Sequence, residues 1–188
     1  ARAMARASTT LPRDSPATPA WTWTTAQGVE YSPQDDRSYR VLRLANGLRA
    51  IVVSDPDADK AAGALSVDVG AARDPDEFVG LAHFCEHMLF LGSERFPAEN
   101  HYKKLLARHG GRSNASTSLE RTLYKFEVLA SELGGALEVF AQFFRAPRFA
   151  ADCGAREVHA IDAEDAQHRV LDERRLWQVL KATATGEH

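Results

Sequence analysis

The chain has 188 residues, of which 44% are apolar and 26% charged, and its formal net charge is −3. This length allows a sizeable core, the slightly acidic balance with no long basic run excludes nucleic acid as an expected partner, and no apolar stretch is long enough for a membrane span. Two cysteines, Cys85 and Cys153, are too few for a disulfide framework and favour a reducing compartment, so a cytoplasmic location is expected.

Residues 1–32 are rich in Ala, Thr, Ser and Pro, lack a hydrophobic period, and carry Arg2, Arg6 and Arg13 before the first acid, Asp14. They are expected to form a disordered tail or to be the remnant of a transit peptide, which would move the expected location to a mitochondrion or another organelle. Residues 33–188 are expected to form one domain. Val41, Leu42 and Leu44 precede Asn46-Gly47, and Leu48 and Ala50–Val53 follow, which predicts a hairpin. Ala64, Leu65, Val67 and Val69 predict a third strand closed by Gly70. Helices are predicted over 79–90 and 98–109, the second stopped by Gly110-Gly111. Two strands follow over 113–117 and 122–129, then a helix over 131–144 and one long helix over 155–181. The order βββ-αα-ββ-αα implies an α+β domain, an antiparallel-rich sheet with helices packed on it. The chain starts at Ala1 rather than Met and stops after a long helical pattern. It is therefore expected to be a piece of a longer protein, with this domain incomplete at its C-terminal end.

The motif that carries chemistry is His83-Phe84-Cys85-Glu86-His87. Positions i and i+4 of a helix share a face, so both imidazoles can reach one Zn²⁺. At 100° per residue Glu86 falls within about 60° of His83, where it can act on a water rather than serve as a third ligand. The H-x-x-E-H order is the inverse of H-E-x-x-H, and both occur in zinc peptidases. Leu81, Ala82, Phe84, Met88, Leu89, Phe90 and Leu91 surround the motif, so the helix is expected to be buried, and its polar groups then need a partner that a metal supplies. Cys85 points about 160° away from His83 and is expected to line the core. His101 and His109 lie on a basic helix and are expected to be solvated.

A catalytic zinc takes three protein ligands and leaves one position open. On the last predicted helix Glu157, Ile161, Glu164 and His168 form one stripe at the 3.6 period. Spacing does not choose among Glu157, Glu164 and His168, and with Asp162, Asp165 and Glu173 nearby the stripe also fits a solvated acidic face.

From about Tyr39 to Gly186 the chain resembles the N-terminal domain of the insulinase-type, or inverzincin, zinc metallopeptidases. The matching stretches are A-N-G-L at 45–48, S-D-P at 54–56, G-L-A-H-F-C-E-H-M-L-F-L-G at 80–92, S-N-A at 113–115, A-Q-F-F at 141–144 and R-E-V-H-A-I-D-A-E at 156–164. H-F-C-E-H and A-Q-F-F look most like the insulysin branch; Asn114–Thr117 with Glu120-Arg121-Thr122 looks closer to the nardilysin branch. The resemblance implies that His83, His87 and Glu164 are the ligands of one Zn²⁺ per chain, that Glu86 is the general base, and that Glu157 supports the site from behind. It implies that Asn114 and Ala115 belong to an edge strand that pairs with a bound peptide, and that His168 is not a ligand. Ser116 stands where insulysins often carry an aromatic, so subsite preferences do not carry over.

The expected function is therefore a zinc-dependent metalloendopeptidase acting on peptides. The competing expectation is a binding module, or catalytically poor fragment, that holds zinc and peptide but lacks the C-terminal half of the same protein, which in the family closes over the substrate.

Overall fold

The computed structural model describes residues 21–25 and 32–184. They fall into two compact units, divided after Asp57. The first holds a three-stranded antiparallel sheet in the order β1 (Trp21–Thr25), β2 (Ser38–Leu44), β3 (Arg49–Ser54). The predicted hairpin is the β2–β3 pair, in register from Ser38↔Ser54 to Arg43↔Arg49. Its turn is closed by the Leu44 N–H donating to the Leu48 carbonyl and the Gly47 N–H donating to the Leu44 carbonyl. β1 differs from the sequence reading. It lies inside the segment expected to be a tail, yet pairs with β2 from Trp21↔Leu44 to Thr25↔Arg40. Five residues alternating aromatic and Thr suffice for a strand when a partner edge is available. The rest of the tail or transit expectation lies outside the described residues.

The second unit carries the site. Its sheet has the order β4 (Lys60–Val67), β6 (Thr122–Leu129), β5 (Arg112–Thr117), all antiparallel. The expected antiparallel character thus holds, but the three N-terminal strands belong to two sheets. β6 is central and strictly alternating, burying Thr122, Tyr124, Phe126 and Val128 on one face. The helices are α1 (Leu81–Leu89), α2 (His101–Arg108), α3 (Leu133–Arg145), α4 (Ala151–His168) and α5 (Asp172–Thr183). α2 contributes Tyr102 and Leu106 to the core; α3 contributes Ala136, Val139, Phe140 and Phe143. Edge-to-face contacts link Phe143 to Phe90 and Tyr102, with ring centroids 5.3 and 5.0 Å apart.

The single long helix predicted over 155–181 is two helices. Leu171 is extended, with φ −87° and ψ 123°, and breaks the chain between α4 and α5. Arg169 pairs with Asp165 at the end of α4, and Asp172 and Glu173 open α5. That cation-then-acid order complements one helix C-terminus followed by another N-terminus. Among the described residues no helix is long and apolar enough to cross a membrane.

Phe143 is almost fully buried, so Phe143→Ala is expected to cost about 3–5 kcal/mol in urea unfolding, as large-to-small aromatic core changes do. Tyr102 has a buried hydroxyl with no partner among the described residues. Tyr102→Phe removes that orphan and is expected to leave stability unchanged or raise it.

Candidate metal and catalytic site

α1 begins where the chain can turn sharply. Gly80 has φ +97°, a conformation that disfavours any side chain. The helix has no cap from its own N-terminal neighbour. Asp74 reaches across instead: its two carboxylate oxygens accept the N–H groups of Gly80 and Ala82, each at 2.8 Å. This satisfies free donors of the first turn and sets a negative charge at the positive end of the helix. The segment before Asp74 is itself pinned. Ala71 and Ala72 donate to the carbonyls of Ser118 and Leu119, at 2.9 and 2.8 Å. A Cβ on the buried Gly70 would lie 2.3 Å from the Ser118 carbonyl oxygen, so this close approach needs glycine. The start of α1 is thereby fastened to the β5–β6 turn.

α1 was expected to be buried all round. It is buried at Glu86, Met88 and Leu89, while His83 and His87 are half-buried and Leu81 is exposed. The reason is that only one side faces the core; another faces α4. There Gly154 of α4 lies against the ends of Phe84 and Met88. Cys85 is partly buried against the core, as expected, and burial pushes its thiol pKa up.

α4 presents Glu157, Ile161, Glu164 and His168 as its half-buried stripe, with Asp162 and Asp165 exposed. The stripe is therefore an inward face rather than a solvated one. One atom each of His83, His87 and Glu164 lies within 4.8 Å of the other two. The two Nε2 atoms are 3.2 Å apart, and Glu164 Oε2 is 3.8 Å from His83 Nε2 and 3.7 Å from His87 Nε2. Tetrahedral ligands about 2.0–2.1 Å from zinc would sit roughly 3.3 Å apart, so the donor set fits that ion with little adjustment. Two lone-pair nitrogens and a carboxylate also form the donor chemistry zinc prefers. His87 Nδ1 lies 3.0 Å from Glu157 Oε2. A proton held there leaves the Nε2 lone pair turned to the other two donors. His168 is on the stripe but outside the donor group.

Glu86 is buried, and Thr117 Oγ1 at the end of β5 donates to its Oε2 at 2.5 Å. Asn114 and Ala115 lie on the same strand. β5 is hydrogen-bonded to β6 on one side only, so its other edge carries open backbone groups among the described residues. His101 is not simply solvated: its ring stacks on Phe96, with centroids 4.9 Å apart. His109 lies 3.6 Å from Glu132.

Three contributors lie outside the expected site residues. Asp74 caps a helix six residues away, so no capping spacing announces it. Thr117 does carry a local signal, because period 2 puts it on the face of Ala115. Glu99 accepts from Arg156 Nη2 at 2.6 Å and from Cys153 Sγ at 3.1 Å, which ties α4 to the loop before α2. Only the fold makes those neighbours. Arg156 beside Glu99 holds its carboxyl below the usual carboxylate range.

Comparison with known proteins finds a matching family, relatives and a solved structure. The family model described as Insulinase (Peptidase family M16) matches residues 49–187. The chain is 49% identical to the human insulin-degrading enzyme over 160 residues, covering 85% of this chain and 16% of that protein. It is 46% identical to the A-factor-processing enzyme of Saccharomyces cerevisiae over 154 residues, covering 82% of this chain and 15% of that one. The crystal structure of pitrilysin superposes with a TM-score of 0.85 at 36% identity, over 91% of this chain and 18% of that one. The chain thus spans about a sixth of the length of these relatives.

Asp74→Ala is expected to cost about 1 kcal/mol in urea unfolding, as loss of a cap does. Because the folded Glu99 pKa is depressed from 4.5, its pair with Arg156 contributes stability above that pH and loses it as pH falls further. A Glu99→Gln variant should therefore show a shallower loss of stability below pH 4.5 than the unaltered chain, read by thermal melts across pH.

Proposed function

The chain belongs to the insulinase family of zinc peptidases, and on that premise we propose that it supplies the metal site and base of a zinc metalloendopeptidase that hydrolyses peptides. The observation that carries this reading is the convergence of His83, His87 and Glu164, with Glu157 behind His87. These three residues would hold the ion. A bound Zn²⁺ supplies Lewis acidity and lowers the pKa of water towards ~7.

The chain's own groups do the rest. Glu157 keeps the His87 ring in one tautomer and orientation. Glu86 accepts a proton from the attacking water and delivers it to the leaving nitrogen as the carbonyl carbon gains the water oxygen and the C–N bond breaks. An extended peptide adds as a strand to the free edge of β5 at Asn114 and Ala115, with the Asn114 side chain reaching the peptide backbone. The half-open setting of both imidazoles leaves a route for substrate. Two free cysteines support a reducing compartment, cytoplasmic or, if residues 1–32 are a transit segment, inside an organelle.

One finding favours a second reading. The chain covers 16% of the human relative, and the side chains of His83 and Glu164 are 32% and 40% exposed. On this reading the chain holds zinc and peptide but turns over slowly, because a site this open does not expel water from its substrate. Metal analysis beside a fluorogenic peptide assay decides between them. One zinc per chain, lost in Glu164→Ala, with cleavage lost in Glu86→Gln while zinc is kept, is the expected result for the peptidase. Zinc without cleavage selects the second reading; no zinc, or full cleavage by Glu86→Gln, overturns the assignment of the site.

A further inference from the structure

The base assigned above sits on a long, rotatable side chain, yet a proton acceptor works only when its oxygen is held at the reacting atoms. Glu86 is 7% exposed, and its one hydrogen bond among the described residues comes from Thr117. Thr117 is well placed to be rigid. It closes the β5–β6 pair opposite Thr122. The Thr122 hydroxyl is buried and donates to the Val69 carbonyl at 2.9 Å, with its oxygen 3.4 Å from that of Thr117. The turn that follows is tightened by Ser118, whose N–H and hydroxyl both donate to the Arg121 carbonyl at 2.9 Å. Gly70–Ala72 pins the same turn from the other side.

We infer that Thr117 is a positioning residue for the base: its hydroxyl occupies Glu86 Oε2, so that Oε1 is the oxygen left free to take the proton. This rests on the reading of Glu86 as base. A hydroxyl has one proton to donate, and Thr117 donates it to Glu86, so the carboxylate has a fixed acceptor role and loses rotational freedom about its last bonds. The location gives the contact a second consequence. Thr117 is two residues from Ala115 on the same face of β5. A peptide strand added along that edge stiffens the strand that also holds the base, so substrate binding and base orientation share one element.

The test compares Thr117→Val, which keeps the β-branched shape and deletes the hydroxyl, with Thr117→Ser, which keeps the hydroxyl, in the zinc-loaded protein. Thr117→Val is expected to lower kcat about tenfold, a part of the ~10²–10⁴-fold that a positioned general base contributes. KM for the peptide and zinc content should stay at the unaltered values, and Thr117→Ser should recover kcat. An unchanged kcat in Thr117→Val, a loss confined to KM, or a Ser variant no better than Val overturns the proposal. Glu86→Gln is assayed in parallel: cleavage by that variant removes the base itself, a failure distinct from unchanged turnover in Thr117→Val. A crystal structure of Thr117→Val gives a readout that needs no turnover. The Glu86 carboxylate is expected to rotate or occupy several positions, and a single unmoved carboxylate overturns the proposal.

Discussion

The second unit meets one electrostatic demand: three electron-rich donor atoms from two helices are held within 4.8 Å of one another. Lone pairs and a carboxylate gathered that closely repel or compete for protons unless a cation joins them. Such a cluster persists only on a frame stiff enough to resist its relaxation. The frame is the aromatic core of β6, α2 and α3, whose interlocked rings leave few rotamer alternatives. α1 stands between that core and α4. It buries Glu86, Met88 and Leu89 towards one and turns its imidazoles towards the other.

The entry to α1 shows how this orientation is kept. A helix of nine residues is marginal by itself, and α1 gains its definition from outside. Asp74 caps it through a loop that is stitched to the β5–β6 turn, and Thr117, the last residue of β5 before that turn, carries the hydroxyl that meets Glu86. The His83–His87–Glu164 group, Glu86 and strand β5 are therefore joined by short, direct contacts. Glu99, Cys153 and Arg156 give α4 a comparable tie on its far side. The exposed tie contributes little energy alone, but it restricts how α4 can slide, and sliding would move Glu157 and Glu164 together.

Much of this was legible in residue order because it is local. H-x-x-E-H states its own geometry once it is helical, and the 3.6 period put Glu157, Ile161, Glu164 and His168 on one stripe that the fold keeps half-buried. The strand at Thr122–Leu129 follows from alternation alone. The break at Leu171 was less visible, because a helical pattern runs through it and only the Arg-then-Asp-Glu order marks the change. β1 was invisible because its alternation of Trp and Thr means little without a partner edge.

Residue order alone carries the local part of the candidate site: two imidazoles and a carboxylate at fixed intervals on one helix, and acids at a helical repeat on another. Period and residue type suffice for that, since both act within a few residues. Spacing left open which acid meets the imidazoles, which one braces His87 and which hydroxyl meets Glu86, and the packing of the elements decides these contacts. Those choices depend on how α1, α4 and β5 pack across long stretches of chain, and the distance between side chains on different elements is set by the core beneath them, not by their spacing in sequence.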